Sequence, residues 1–204
     1  SVKSRGLGDV YKRQVIYGSA QITLNIKESE SRVRLDLVSQ NQLGKGMKVH
    51  RVTFNGDEVA YTHEDNVLLI ETGGLGYSSS DNIGVEYSGD PITGLIIGPN
   101  MHGDRTFFSD NWPNKARNWL PLVDHPYDKS TAEFIVEAPN HYQVISNGLL
   151  VEETNLNRNI KKTHWKQSVP ISCWLYALGV AEFAIDYVDY FDGKSIQTWV
   201  YKQD

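Results

Sequence analysis

From residue 15 onward, apolar and polar side chains alternate with a period of two. In the run QITLNIK, Ile22, Leu24 and Ile26 fall on one side and Thr23, Asn25 and Lys27 on the other. RVRLDLV repeats the pattern, setting Val33, Leu35 and Leu37 against Arg32, Arg34 and Asp36. In TAEFIVEA, Ala132, Phe134, Val136 and Ala138 share a side while Glu133 and Glu137 point away. Half-buried strands of an antiparallel sheet alternate in this way.

Turn chemistry separates these runs. Asn55-Gly56 and Asp192-Gly193 are pairs that tolerate the positive φ of a tight hairpin, Asn147-Gly148 offers a third, and Gly89-Asp90-Pro91 closes a further strand. The nearest approach to a helical stripe, CWLYALGVAEFAIDYV (173–188), is rich in aromatic and β-branched residues and carries Gly179, which favours strand. The segment ETGGLGYSSSDN (71–82) has clustered glycines but no Lys-Ser/Thr after them. It therefore predicts a hairpin loop and not a phosphate cradle. The pattern as a whole predicts an all-β domain of ten or more strands.

Composition narrows the function. With 40% apolar and 22% charged residues in 204, the chain suits a globular domain with a substantial core. A net charge of −5 without a basic run argues against a nucleic-acid partner. Apolar runs such as VLLI (67–70) are far too short for a membrane span. Cys173 stands alone, which excludes an internal disulfide and a thiolate metal cage and leaves a small buried thiol.

Residues 1–14, SVKSRGLGDVYKRQ, lack apolar periodicity and resemble translated adapter sequence. They are read as a non-native or disordered leader, with the domain spanning 15–204 and the chain itself a fragment.

Chemistry is sparse. His50, His63, His102, His125, His141 and His164 are scattered, and no two lie four apart as a helical zinc site requires. His63-Glu64-Asp65 begins like such a site, but Val67 stands where the second histidine belongs. A Gly-x-Ser-x-Gly elbow is missing as well, so neither a catalytic set nor a metal site is expected in this chain.

One stretch stands out: NWPNKARNWLPLVDHP (111–126), with three prolines and two tryptophans. Pro113, Pro121 and Pro126 fix φ and bias their predecessors toward extended backbone, predicting an ordered, non-helical bend. Arg117 and Asp124 are spaced to pair across it. Trp112 and Trp119 either pack flat on a sheet or wall a cleft. The physics alone leaves both a crossover between sheets and a binding ledge open.

The same residues carry a resemblance. ARNWLPLVDHP (116–126), followed by the strand-like AEFIVEAP (132–139), is similar to the Ala-Arg-x-x-x-Pro-x-x-Asp-x-Pro signature of the N-terminal domain of zinc aminopeptidases of the aminopeptidase N and leukotriene-hydrolase family. Downstream, THWKQSVPISCWLYALGVAEF (163–183) resembles that domain's next signature, so the likeness covers about 15–204.

The resemblance implies a twisted, mostly antiparallel β-saddle of two packed sheets that caps a separate catalytic domain. Arg117, Pro121, Asp124 and Pro126 would be structural, and His125 a surface or hydrogen-bonding residue. Family members place a polar side chain five or seven positions before the motif Arg, against the substrate's amino end. Here those positions are Trp112 and Asp110, with Asn111 between them. Neither is the usual Gln or Glu. Asp110, Asn111 and Trp112 are the candidate substrate-binding residues, Asp110 serving either as pocket lining or as a plain loop cap. Zinc is expected in the full-length enzyme on ligands outside this chain, with none bound by the fragment. The implied partners are a peptide substrate's N-terminus and the downstream catalytic domain of the same polypeptide. The implied parent is a secreted or cell-envelope enzyme, although one cysteine fits a cytoplasmic one as well. Two alternatives remain: a free-standing β-sandwich module binding sugar or peptide, and a family member that has lost its zinc ligands.

Overall fold

A computed structural model describes residues 2–4, 14–24, 31–73 and 80–204. Its strands are β1 (Val2–Ser4), β2 (Ile16–Leu24), β3 (Arg32–Asp36), β4 (Gly46–Phe54), β5 (Asp57–Glu58) and β6 (Tyr61–Glu64). There follow β7 (Val67–Glu71), β8 (Asp81–Asp90), β9 (Leu95–Pro99), β10 (Arg105–Ser109), β11 (Ser130–Pro139) and β12 (Gln143–Ser146). The last five are β13 (Leu149–Asn155), β14 (Ile160–Ile171), β15 (Leu178–Ala181), β16 (Phe183–Phe191) and β17 (Lys194–Tyr201). Helix among the described residues amounts to two short 3-10 turns, at Ala116–Asn118 and Cys173–Leu175.

The strands form an eight-stranded sheet (β13-β14-β11-β1-β2-β8-β4-β5), a four-stranded sheet (β12-β15-β10-β9), a three-stranded sheet (β3-β7-β6) and the β16–β17 hairpin. Pairing is antiparallel throughout except between β1 and β11. The domain is therefore all-β and mostly antiparallel, none of its sheets closes into a barrel, and the architecture is that of a sandwich.

Alternation decides which face is buried. Phe134, Val136 and Ala138 of β11 meet Ala20 of β2 and Val85 and Tyr87 of β8 in the core of the large sheet. Leu95 and Ile97 of β9, Phe107 of β10 and Val180 of β15 supply the opposing layer. A small apolar cavity lined by Tyr87, Leu95, Phe107, Trp119, Phe134 and Val180 lies between the two. Each fully buried aliphatic side chain contributes roughly 1.5–3 kcal/mol.

The turns follow from residue choice. Asn55 and Gly56, and likewise Asp192 and Gly193, both take positive φ, as a two-residue hairpin requires. Asp65 and Asn66 do the same between β6 and β7, a turn the sequence reading did not single out.

Three expectations need qualifying. Asp36, which the alternation puts outward with Arg32 and Arg34, is buried, because the bend at 116–124 packs over it. The bend is not wholly non-helical, since residues 116–118 make one 3-10 turn. The expected hairpin at 71–82 is not one: β7 pairs with β3 and β6 and β8 with β2 and β4, so the segment links the three-stranded sheet to the eight-stranded one, and residues 74–79, like Ile26, lie outside the described residues. Separately, residues 2–4 have strand backbone paired with β2 and β11, and Gln14 donates to the Ile97 carbonyl at 2.9 Å.

Candidate functional site

Strand-like alternation does not stop where β10 ends. The β9–β10 ladder pairs Phe108 with Ile96 and Ser109 with Leu95, and the Asp110 N–H then donates to the Gly94 carbonyl at 2.8 Å. Side chains therefore continue to point alternately through Trp112. Phe107, Ser109 and Asn111 are buried, whereas Phe108 (61% exposed) and Trp112 (64%) face outward with Asp110 between them. The three candidate residues are thus divided between two faces.

Asn111 belongs to the inside. Its Nδ2 donates to the Tyr176 carbonyl at 2.6 Å, and its Oδ1 accepts from Trp119 Nε1 at 2.8 Å. Both ends of the amide are engaged in bracing the bend. Trp119, packed flat by this bond, stacks on Phe134 at 6.1 Å between ring centroids, and its carbonyl accepts the Tyr87 hydroxyl at 2.9 Å. Burial pushes that hydroxyl's pKa up.

The motif Arg and Asp pair across the bend. Arg117 Nε donates to Asp124 Oδ2 at 2.9 Å, and Arg117 Nη2 reaches the Asp124 carbonyl at 3.3 Å. This is a clamp on side chain and main chain together, not a two-pronged grip on the carboxylate. Asp124 also receives Cys173 Sγ at 3.3 Å, while its own N–H donates to Asp36 Oδ2 at 3.1 Å. Asp36 is answered by Arg34 at 3.1 Å, and the Asp36–Leu122 bridge ties β3 to the bend. Burial, reinforced by the Asp124 carboxylate, pushes the Cys173 thiol from 9.0 up to about 12. Pro121 is buried and Pro126 half-buried, with the Pro126 carbonyl accepting from Ser172 at 2.9 Å.

Asp110 has a different setting. Lys115 Nζ lies 2.6 Å from its Oδ2, and this bond outweighs the opposing desolvation and, with the Lys115 charge and the Trp112 N–H, holds the carboxyl below its ordinary 3.8. Gly94, at φ +79°, makes the approach possible. A Cβ there would fall 2.2 Å from the Lys115 carbonyl oxygen. Lys115 escaped the sequence reading, as did Phe108 and Ile96. The alternating FFSDNW (107–112) was the available signal.

Exposed His141 lies against the Tyr142 ring at 4.1 Å between centroids, and each of the other histidines has its own partner. His50 bonds Ser88, His63 the Leu37 carbonyl, His102 Asp204 and His164 Glu133. His125 is exposed and stacks on Tyr127, with ring centroids 5.2 Å apart. Among the described residues, no group of three or more His, Cys, Asp or Glu side chains could hold a metal ion. No helix there is long and apolar enough to cross a membrane.

The observed class is an all-β sandwich with a proline-bounded, Arg–Asp-clamped bend that leaves Asp110 and Trp112 exposed beside it. Residues 9–175 match the model of the peptidase M1 N-terminal domain, and the chain belongs to that family. It is 32% identical over 95 residues to aminopeptidase A of Gloydius brevicauda, covering 47% of this chain and 10% of that protein. To leucyl aminopeptidase of Saccharolobus solfataricus it is 24% identical over 163 residues, covering 78% of this chain and 19% of that protein. The fold matches the M1 zinc metallopeptidase of Deinococcus radiodurans with a TM-score of 0.73 at 22% identity, over 90% of this chain and 42% of that one. A two-domain M1 zinc metallopeptidase bound to L-tryptophan matches with a TM-score of 0.75 at 20% identity, over 91% and 43%. The chain thus spans about a tenth to a fifth of these curated relatives.

Proposed function

We propose that this domain is the non-catalytic cap of a zinc-dependent aminopeptidase, and that Asp110 and Trp112 line the side of the cleft that receives the substrate's free amino end. The observation that carries the reading is the alternation past β10, which leaves Asp110 and Trp112 open on one face while Asn111 braces them from behind. An ionised carboxylate offers about four acceptor positions, and Lys115 takes one of them on Oδ2. A substrate ammonium would use another. Lys115 keeps Asp110 charged and oriented before substrate arrives, and Trp112 offers an indole face to the ammonium or to the first side chain.

Zinc, when bound by the whole enzyme, would supply Lewis-acid polarisation of the scissile carbonyl. The described residues of this chain do not fit that ion, so its ligands are assigned to the catalytic domain. A free-standing sugar or peptide module has no specific observation in its favour. The test is Asp110→Ala in the complete enzyme. Loss of a charge-assisted bond should lower kcat/KM for aminoacyl amides by about tenfold or more, and an unchanged value would remove Asp110 from the site.

A further inference from the structure

Lys115 is held more firmly than a surface lysine needs to be. Its N–H donates to the Asn111 carbonyl at 2.9 Å, and its carbonyl accepts from the Asn118 N–H at 3.0 Å and from Asn118 Nδ2 at 2.9 Å. Gly94 packs against that same carbonyl oxygen. From this fixed root the side chain, 33% exposed, carries its ammonium to the outward side of the corner, beside Asp110. One of its N–H donors goes to Asp110 Oδ2 at 2.6 Å, and the others have no acceptor among the described residues. Water already stabilises a carboxylate as open as Asp110, and an exposed ion pair adds little. Neutralising Asp110 therefore does not by itself account for a lysine rooted in this way.

We propose that Lys115 reads the first side chain of the substrate and favours an acidic one, glutamate or aspartate, over a basic one. This rests on the cap reading given above and names the substrate class for the same ledge. Asp110 and Lys115 present opposite charges in contact with each other. A first residue with an acidic side chain also carries opposite charges, its ammonium and its carboxylate. Laid across the pair, its ammonium meets Asp110 and its carboxylate meets the unused donors of Lys115, so the four groups alternate in sign. Both new contacts are charge-assisted hydrogen bonds. A neutral first residue uses Asp110 alone. A lysyl or arginyl one brings a second cation toward Lys115, and like charges repel.

The test is kcat/KM of the complete enzyme on fluorogenic amides of glutamate, alanine and lysine. Other walls of the pocket also act on the first residue, so the readout is the ratio between substrates, which a general loss of activity does not move. Lys115→Met should lower the glutamyl-to-alanyl ratio about tenfold and raise the lysyl-to-alanyl ratio severalfold. Lys115→Arg, which keeps the charge, should retain the glutamyl preference. Unchanged ratios in Lys115→Met would overturn the proposal. Equal loss of the preference in both variants would overturn it too, because the effect would then follow shape and not charge. If Asp110→Ala leaves the alanyl amide untouched while Lys115→Met shifts the ratios, the amine-binding role of Asp110 falls and the acid preference stands. If Asp110→Ala depresses all three substrates while Lys115→Met shifts no ratio, the reverse holds.

Discussion

Two acid–base pairs flank the same 3-10 turn and share little beyond their chemistry. Asp124 has no exposed side-chain surface and is held by Arg117, Cys173 and the link to Asp36. Asp110 is 45% exposed at its side chain and has Lys115 beside it. In the first pair both Asp124 carboxylate oxygens, its N–H and its carbonyl are all engaged, and removing the carboxylate strands Arg117 and Cys173. The second keeps acceptor capacity facing outward. Burial and partner count, not the presence of a carboxylate, separate the part of this bend that holds shape from the part free to meet something else.

The comparison can be broken most forcefully at Asp124. Asp124→Ala should cost about 3 kcal/mol by leaving the Arg117 guanidinium and the Cys173 thiol without their carboxylate, read as a lower denaturant midpoint of this chain. A midpoint equal to wild type would mean the clamp is ornamental. Asn111→Ala should cost about 2 kcal/mol, because Trp119 Nε1–H loses its acceptor inside the protein and the Tyr176 carbonyl keeps only the longer bond from Ser109. A substitution tolerated there would place Asn111 with the exposed set after all.

Cys173 sharpens the same contrast. Its folded pKa is raised, so its contribution is fully present below the unfolded value of 9.0 and is lost as pH climbs toward about 12. The native chain should resist alkylation at about pH 8.5 and react on unfolding, and Cys173→Ser should shallow the alkaline loss of stability. Ready labelling of the native thiol would show the corner to be open. The smallest effect is expected at Asp110. Asp110→Ala should leave the unfolding midpoint of this chain where it is, because solvent and neighbouring Lys115 compensate an exposed carboxylate. A marked drop would make it a structural residue like Asp124.

Much of this was legible before any coordinates. A period of two fixes strand faces wherever one side is dry, as in Phe134, Val136 and Ala138. Asn55-Gly56 and Asp192-Gly193 mark hairpins because few other pairs tolerate positive φ at two successive positions, whereas at Asn147-Gly148 the glycine alone takes it and the flanking β12 and β13 lie in different sheets. Arg117 and Asp124 were readable because both lie in one proline-limited bend. What stayed hidden depends on distance along the chain. Asp36 reads as an outward residue of β3, and only contact with Asp124, 88 positions away, makes it interior. Asp65-Asn66 lacks the glycine that announces a turn of its type. The Phe108–Asp110–Trp112 row alternates in the sequence, but its orientation depends on the pairing of β10 with β9 and on the Asp110–Gly94 bond, neither of which the prolines at 113–126 announce.

Gly94 gives the corner a peculiar fragility. The Lys115 carbonyl rests against its bare α-carbon, and the Trp119 ring stands 3.2 Å from where a methyl would be. A one-carbon addition in the bend before β9 would therefore wedge the turn outward and drag the ammonium off Asp110, although neither charged residue had been altered. The charge of the ledge is set, in effect, by a position that contributes no functional group.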